Sequence, residues 1–262
     1  MKILTPKTYA LFCLLGFFLM PITNTNAGVK LGFAAWNHDP GGTIRYQGDS
    51  ISAESDFLIS DETEGFFWLA IEQPIPGVPN LKISYTKLSN SGGGVLTNGF
   101  TFGGNTFNVA ENVNTTLTLD QTDITLYWRL GTKSTHFDLG LTLKYLDGSA
   151  TINSITTSQT RNVDFEGVLP LVYGSLAIKT PVRGLSVGIS GNVISYNGHS
   201  YSDVLFSLGF ETKAKVGIQA GYRRMQLKLD DLDGVFAHAA KHDLARLKAV
   251  IVLDEDHRLA FN

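Results

Sequence analysis

Six histidines and one cysteine are the residues of this 262-residue chain best suited to metal binding or nucleophilic catalysis. His238 and His242 have the i, i+4 spacing that lets two imidazoles on one helix hold a metal, but the residues between them lack the glutamate of a metalloprotease helix. One cysteine, Cys13, excludes a disulfide framework or a cysteine-based zinc site. We therefore predict no metal site and no cofactor.

Histidine also occurs within two residues of aspartate or serine at three places. The pair His38-Asp39 has half of the residues of an Asp–His hydrolytic site, while His199-Ser200 and His136 with Ser134 suggest a Ser–His nucleophile. Adjacent residues of a strand point to opposite faces, which argues against a hydrogen-bonded dyad. We predict no catalytic residues and no enzymatic activity.

The elements that would position these side chains are strands. From Gly28 onward apolar residues alternate with polar ones in segments of about ten residues, separated by Gly, Pro, Asn and Asp. Nine segments show this period, among them Phe137–Tyr145 and Val204–Phe210. The pattern predicts an all-β chain.

The lengths of the connections favour a membrane barrel over a soluble sandwich. Short turns, such as 130–134 and 179–184, alternate with long excursions at 37–65, 89–118 and 147–167. Transmembrane barrels sort short turns to one rim and long loops to the other. We predict a transmembrane antiparallel up-and-down β-barrel, with ten strands as the expected number and eight as the alternative.

Charged residues lie out of phase with the apolar sets, so they would line the lumen of such a barrel. Five are acidic and five are basic, and equal numbers of both signs allow pairing in a narrow interior. The predicted lumen charge network, which would plug the barrel, consists of Glu72, Lys82, Asp123, Arg129, Asp138, Lys144, Asp203, Glu211, Lys215 and Arg223.

The first long excursion is strongly acidic. Its carboxylates could bind divalent cations shared with lipopolysaccharide phosphates, although a solvated acidic loop is the favoured interpretation. These residues are Asp49, Glu54, Asp56, Asp61, Glu62 and Glu64. The second excursion is rich in Gly, Asn and Thr and lacks the Lys of a phosphate-binding loop, so we predict a flexible loop displayed at the surface.

The two ends of the chain differ from the strand region. Residues 1–27 have the basic start, short apolar run and small-x-small ending of a signal peptide, residues 28–236 form the predicted barrel, and residues 237–262 form a divergent tail. The spacing over Phe236–Leu247 predicts a short helix. Either Lys248–Leu253 or His257–Phe261 would supply the closing strand.

Five short stretches and an Asp-rich turn carry a resemblance to a known family. The stretches are 138–141 (DLGL), 144–148 (KYLDG), 167–170 (GVLP), 184–188 (GLSVG) and 221–224 (GYRR), and the turn is at 230–234. They resemble those of a family of small, uncharacterised outer-membrane β-barrel proteins of Gram-negative bacteria. The resemblance covers roughly 28–234, and it departs after Phe236, where family members continue into a final strand that ends in an aromatic residue. It implies a fold and a location but no activity.

Together these features predict a non-enzymatic protein of the bacterial outer membrane with a plugged lumen and exposed loops. Its role would be structural in the envelope or an interaction at the surface. A narrow channel for small solutes is the alternative, and an outer-membrane enzyme that acts on lipid or peptide at the extracellular rim is a second alternative. Expected partners are outer-membrane lipid, lipopolysaccharide and, during biogenesis, the barrel-assembly machinery. A net charge of −3 makes nucleic acid a poor partner.

Overall fold

The computed structural model describes residues 28–38, 40–75, 77–196, 199–213, 216–232, 235–238 and 245–254. Side chains are described through residue 228, that of residue 199 excepted. The predicted signal peptide, with Cys13, lies outside the described residues, as do Asp39, His242 and the segment His257–Phe261. None of the described residues forms a helix long and apolar enough to cross a membrane.

Sixteen strands make up the described part of the chain. They are β1 (Gly28–His38), β2 (Thr43–Tyr46), β3 (Ser50–Ser52), β4 (Glu62–Glu72), β5 (Asn80–Thr86), β6 (Ser89–Val95), β7 (Phe100–Phe102), β8 (Asn105–Phe107), β9 (Asn112–Gly131), β10 (Thr135–Ser154), β11 (Thr160–Lys179), β12 (Leu185–Tyr196), β13 (His199–Glu211), β14 (Val216–Leu232), β15 (Val235–His238) and β16 (Ala245–Asp254).

Antiparallel pairing closes ten of these described strands into a ring. The order is β1, β4, β5, β9, β10, β11, β12, β13, β14 and β16, and β16 pairs again with β1. The predicted ten-stranded antiparallel barrel is therefore confirmed. The closing strand contains Lys248–Leu253, one of the two segments proposed for it from the sequence.

The short helix predicted over Phe236–Leu247 is wrong where the structure describes it. Residues 235–238 pair with β14 and β2, and residues 245–247 pair with β1 and β14. The spacings of four and three that suggested a helix belong to a short segment. Backbone hydrogen bonds to two neighbouring strands stabilise the extended conformation of these residues more than this weak local pattern stabilises a helix.

The membrane-spanning part of each strand presents apolar residues outward. On β10 the side chain of Leu141 is 64% exposed, while that of its neighbour Thr142 is 1% exposed. Leu141 pairs with Leu126 on one side and Val172 on the other, so the outward residues form a continuous apolar belt. This is the surface expected to face lipid in a barrel.

The polarity of the two faces reverses farther along the same strands. Strands β9, β10 and β11 have twenty residues each, whereas about ten residues cross a bilayer. In their outer halves the exposed positions carry polar residues such as Asp147 and Asn162, while Ala150, Ile152 and Val163 are buried inside. The outer halves are therefore suited to water outside and an apolar core inside.

The predicted long loop at 147–167 is consequently wrong. β10 continues to Ser154 and β11 starts at Thr160, so only residues 155–159 connect them. In this segment the apolar residues lie on the inward face, whereas in the membrane-spanning part they lie on the outward face. The alternation therefore changes phase, and the sequence pattern used to predict the strands stops there.

The other two long connections fold into a cap over the end of the barrel opposite the short turns. Their buried residues form one hydrophobic cluster with the outer halves of β9, β10 and β11, and Phe57, Phe102 and Phe107 are fully buried in it. The Gly-rich segment forms β6 and pairs with β9 from Ser89 to Val95. At Gly92 a Cβ would collide with the carbonyl of Leu58, so glycine permits this close approach. The predicted flexibility of this loop is therefore wrong for Ser89–Val95, which is a paired strand, although alternate residues of the segment are exposed at the surface.

The reversal of polarity makes a matched pair of substitutions informative. Leu141→Arg places a charge on the apolar belt and should destabilise the folded barrel in vesicles by about 2–4 kcal/mol, whereas Asn153→Arg, on the same face of the same strand but beyond the belt, should cost about 0–1 kcal/mol. Urea unfolding of the protein refolded into lipid vesicles measures both values. Equal costs would contradict the assignment of the belt.

Candidate functional site: the barrel lumen and its cap

Strand alternation brings most of the predicted lumen charges into the barrel. Glu72, Asp123, Asp138, Lys144, Asp203 and Arg223 are buried, and Lys82 and Arg129 are partly buried. Glu211 is exposed at the rim formed by the short turns and is not enclosed in the lumen, because β13 ends there. Lys215 lies outside the described residues.

One ion cluster lies near the rim of the short turns, which we call the turn-rim cluster. Arg129 on β9 binds both carboxylate oxygens of Asp138 on β10, with Nε–Oδ1 2.8 Å and Nη2–Oδ2 3.0 Å. Its Nη1 lies 2.5 Å from Glu72 on β4, and Lys30 Nζ on β1 lies 2.9 Å from the other oxygen of Glu72. Two cations thus neutralise two carboxylates and join four strands.

A second cluster, the central cluster, lies farther into the barrel. Arg223 on β14 binds Asp203 on β13 through Nε (2.8 Å) and Nη2 (2.6 Å). Lys144 Nζ on β10 lies 2.6 Å from Asp123 Oδ1 and donates to Gln121 Oε1 at 2.9 Å. This cluster also contains two cations and two carboxylates.

Uncharged side chains complete the central cluster. The hydroxyl of Tyr201 donates to Gln121 Oε1 (3.1 Å) and lies 3.3 Å from an oxygen of Asp203. The guanidinium of Arg223 stacks over the ring of Trp36, with 4.3 Å between Cζ and the ring centroid. Because the charges in both clusters are paired and hydrogen-bonded, the cost of removing them from water is offset locally.

A cavity of about 300 Å³ lies between the two clusters. Both clusters contribute to its wall, together with Lys82, Ser84 and Asn192. The ammonium of Lys82 lies 5.8 Å from the ring of Trp68 and 5.7 Å from the ring of Tyr173. The cavity is polar enough to hold water.

An apolar layer separates the central cluster from the cap. Leu146, Leu171, Tyr201 and Leu227 pack together there, and the first three are at most 2% exposed. The hydrophobic cluster of the cap follows on the side away from the short turns. The lumen is therefore filled by an ionic layer, an apolar layer and the cap in succession.

The histidines singled out from the sequence do not form a common site in the described structure. His38 is buried with its ring 5.3 Å from that of Trp36, and His136 lines the lumen cavity near Arg129 and Asp138. The side chains of His199 and His238 lie outside the described ones. No group of three or more His, Cys, Asp or Glu suited to a metal occurs among the described residues.

The carboxylates of the first loop are dispersed rather than gathered. Asp49 accepts from the backbone N–H of Thr101, and Asp56 accepts from that of Ser52. The remaining four lie apart: Glu62 accepts from Ser91, Glu64 pairs with Lys87 at 3.3 Å, and Glu54 and Asp61 are exposed. Several of these groups order the cap locally, and they do not surround a common point.

Several residues of this site were not predicted from the sequence. Lys30 lies between the apolar residues Val29 and Leu31 of β1, out of phase with the apolar set like the predicted lumen charges, so the same criterion would have predicted it. Gln121, Tyr201 and Trp36 carry no net charge, and only the three-dimensional packing brings them to the ions.

Glu111 is the other missed residue, and it fastens the cap. It accepts hydrogen bonds at 2.8 Å from both the backbone N–H and the side chain of Asn108, and at 2.5 Å from the hydroxyl of Ser154. The hydroxyl of Thr157 donates to it at 3.3 Å. These bonds, led by that from Ser154, lower the pKa of Glu111 from 4.5 to about 2.

The low pKa of Glu111 predicts how the cap responds to acid. Because the folded-state pKa is lower than the unfolded value, its stabilising effect is complete above pH 4.5 and is lost as the pH falls toward about 2. Hydrogen exchange at 108–112 and 154–157, corrected for the intrinsic rate at each pH, should quicken over this range. Glu111→Gln should remove most of the pH dependence, and Glu54→Gln should keep it. An unchanged response in Glu111→Gln would contradict the role of this carboxylate.

The central cluster predicts strong coupling between its members. Asp203→Asn or Arg223→Met alone leaves a buried charge without its partner and should cost about 3–5 kcal/mol, whereas the double substitution should cost clearly less than the sum. Urea unfolding in vesicles supplies the double-mutant cycle. Additive costs would mean that the two residues do not act as a pair.

Comparison with known proteins gave no match to a protein-family model and none to a curated protein. Among solved structures, the transport unit of the autotransporter AIDA-I from Escherichia coli is similar with a TM-score of 0.44 and 8% identity, covering 94% of this chain and 96% of that one. Ail, the attachment invasion locus protein of Yersinia pestis, crystallised with the heparin analogue sucrose octasulfate, gives 0.39 and 11%, covering 87% and 100%. These are loose likenesses in shape, and the assignment of the fold rests on the strand pairing described above.

Proposed function

We propose that this protein is a closed outer-membrane β-barrel that acts through its extracellular surface, without catalysis and without transport. The single observation that carries the proposal is the succession of a paired ionic layer, an apolar layer and an ordered cap in one lumen. The apolar belt supports insertion in a membrane, with lipid and lipopolysaccharide around it.

The closed lumen favours a surface role over a solute channel. The cavity of about 300 Å³ lies between the two ion clusters, and the packed layer of Leu146, Leu171, Tyr201 and Leu227 bounds the lumen on the side of the cap. A conducting path would have to disrupt this layer and the hydrophobic cluster beyond it. Both are parts of the folded core rather than mobile constrictions.

The lumen charges are better explained by structure than by catalysis. Lys144, Asp203 and Arg223 are committed to ion pairs and hydrogen bonds with one another or with Asp123 and Gln121. Such pairing fixes strands to one another across the barrel. Assembly into the membrane by the barrel-assembly machinery belongs to the same proposal.

The cap has the properties of a binding platform. Its loops share a hydrophobic core with three strands that extend beyond the membrane, so its outer surface is held in one conformation. A preorganised surface loses little conformational entropy when a partner binds. This supports an interaction at the cell surface or a structural role in the envelope.

Planar-bilayer recording tests the proposal. The chain from Gly28 onward, refolded and inserted in the bilayer, should give no steady single-channel current, while a general porin in the same bilayer conducts. A mobility shift on an unboiled gel establishes that the protein is folded. Steady conductance from folded protein would overturn the proposal in favour of a solute channel, with Asp123 and Arg223 as the residues to substitute.

A further inference from the structure

The wall of the barrel has a step beside β11. β11 pairs with β10 along its whole length, from Thr160 to Ile178, but with β12 only from Val172 to Lys179. β12 and β13 are shorter, so on that side no described strand pairs with residues 160–171. We call residues 160–169 the β11 edge.

The direction of the backbone groups on this edge follows from the hydrogen bonds at its ends. Ser154 N–H bonds to Gln159 C=O and Lys179 N–H bonds to Ser134 C=O, so odd-numbered residues of β11 direct their N–H and C=O toward β10. Thr180 N–H bonds to Leu185 C=O, which places even-numbered residues on the other side. No described hydrogen bond uses the backbone groups that face away from β10, those of Thr160, Asn162, Asp164, Glu166 and Val168.

The β11 edge is a ready template for another strand. It offers backbone N–H groups at every second residue over about 25 Å, given about 3.3 Å per residue. Proteins usually cover or shorten such edges. Pro170, which has no N–H, ends the row of donors close to the point where pairing with β12 begins.

The side chains of the same residues define the chemistry of the edge. Asp164 and Glu166 point outward and are exposed, and the side chain of Asn162 donates to both oxygens of Asp164 at 2.8 and 3.0 Å. Asp147 on β10 is the direct cross-strand neighbour of Glu166 and is also exposed. The outward face of the edge is therefore negative.

This charge disfavours pairing between two copies of the chain. Two copies in one membrane have β11 in the same direction. Pairing of their β11 edges would therefore bring Asp164 and Glu166 of one copy close to Asp164 and Glu166 of the other. Like charges that face each other across a strand pair are destabilising. A strand with basic side chains would instead find an opposite charge at each of these positions.

We propose that the β11 edge binds an extended polypeptide segment with Lys or Arg at alternate positions, which adds to the sheet as a further strand. The proposal rests on the surface role proposed above and specifies its partner. Backbone hydrogen bonds would supply affinity, and Asp164 and Glu166 would select basic residues on the outward face.

The probe for a test is an eight-residue peptide of alternating Lys and Thr, acetylated and amidated, added to the chain from Gly28 onward in lipid nanodiscs. Binding should slow amide hydrogen exchange at residues 160, 162, 164, 166 and 168. The odd-numbered amides between them already bond to β10 and should change little. A peptide that binds without this alternate protection would overturn the proposal.

Substitutions separate the two parts of the interaction. Asn162→Pro removes one outward N–H from an edge position that tolerates proline, and it should weaken binding about 3- to 10-fold. Asp164→Asn with Glu166→Gln should weaken binding about 10-fold. The matched control, Glu54→Gln with Asp61→Asn, removes two exposed charges elsewhere on the cap and should leave binding unchanged.

Besides binding without alternate protection, three further outcomes contradict the proposal. They are equal binding by all variants that pass the unboiled-gel folding test, equal binding of an alternating Glu–Thr peptide, and no binding of the Lys–Thr peptide. A bilayer recording on the same preparation distinguishes this failure from failure of the proposed function. A barrel that gives no current and does not bind the peptide contradicts only the proposed binding at the β11 edge. A barrel that conducts contradicts the proposed surface role.

Discussion

Every backbone N–H and C=O in a hydrocarbon layer must find a partner within the protein, and this constraint determines the architecture. An open sheet would leave two edges unpaired in lipid, so the sheet has to close. Closure here depends on β16, which pairs with β14 on one side and β1 on the other. Once the ring is closed, alternation assigns every side chain to lipid or to lumen.

The same constraint explains why the lumen is filled as it is. Ten strands enclose a narrow interior in which isolated charges would be costly, and each ion cluster contains two cations and two carboxylates. Beyond the membrane the outer faces meet water, so the apolar residues turn inward and build the core of the cap. The cap and the lumen layers are thus one continuous interior.

The barrel itself could be predicted from the sequence because period two is a direct consequence of strand geometry. The faces of Leu141 and Lys144 were predicted correctly. Leu141 belongs to the alternating apolar set of β10, and Lys144 lies at a position between two members of that set. The outer halves of β10 and β11 could not be predicted in this way. Ala150 and Ile152 are apolar in the inward phase, opposite to Leu141, and a rule built on the lipid belt interprets that change as a loop.

The cap and the tail escaped prediction for a different reason. Phe57 and Phe102 are distant in sequence from Ala150 and Ile152 of β10, which belong to the same cluster, and no local pattern specifies that packing. Glu111 gave no signal because its four donors lie on two separate segments. In the tail, the pairing of β16 is set by two neighbouring strands rather than by its own alternation.

The polarity of the outward face reverses along β10 where the strand leaves the membrane, and spin labels on this strand test the reversal directly. The chain from Gly28 onward contains no cysteine, so single cysteines can carry a nitroxide label at outward positions from Phe137 to Asn153 in lipid vesicles. The reversal predicts that labels at 137–145 are accessible to oxygen dissolved in lipid, and that labels at 147–153 are accessible to a water-soluble nickel complex. Accessibility to the nickel complex along the whole strand, or lipid contact as far as residue 153, would contradict it.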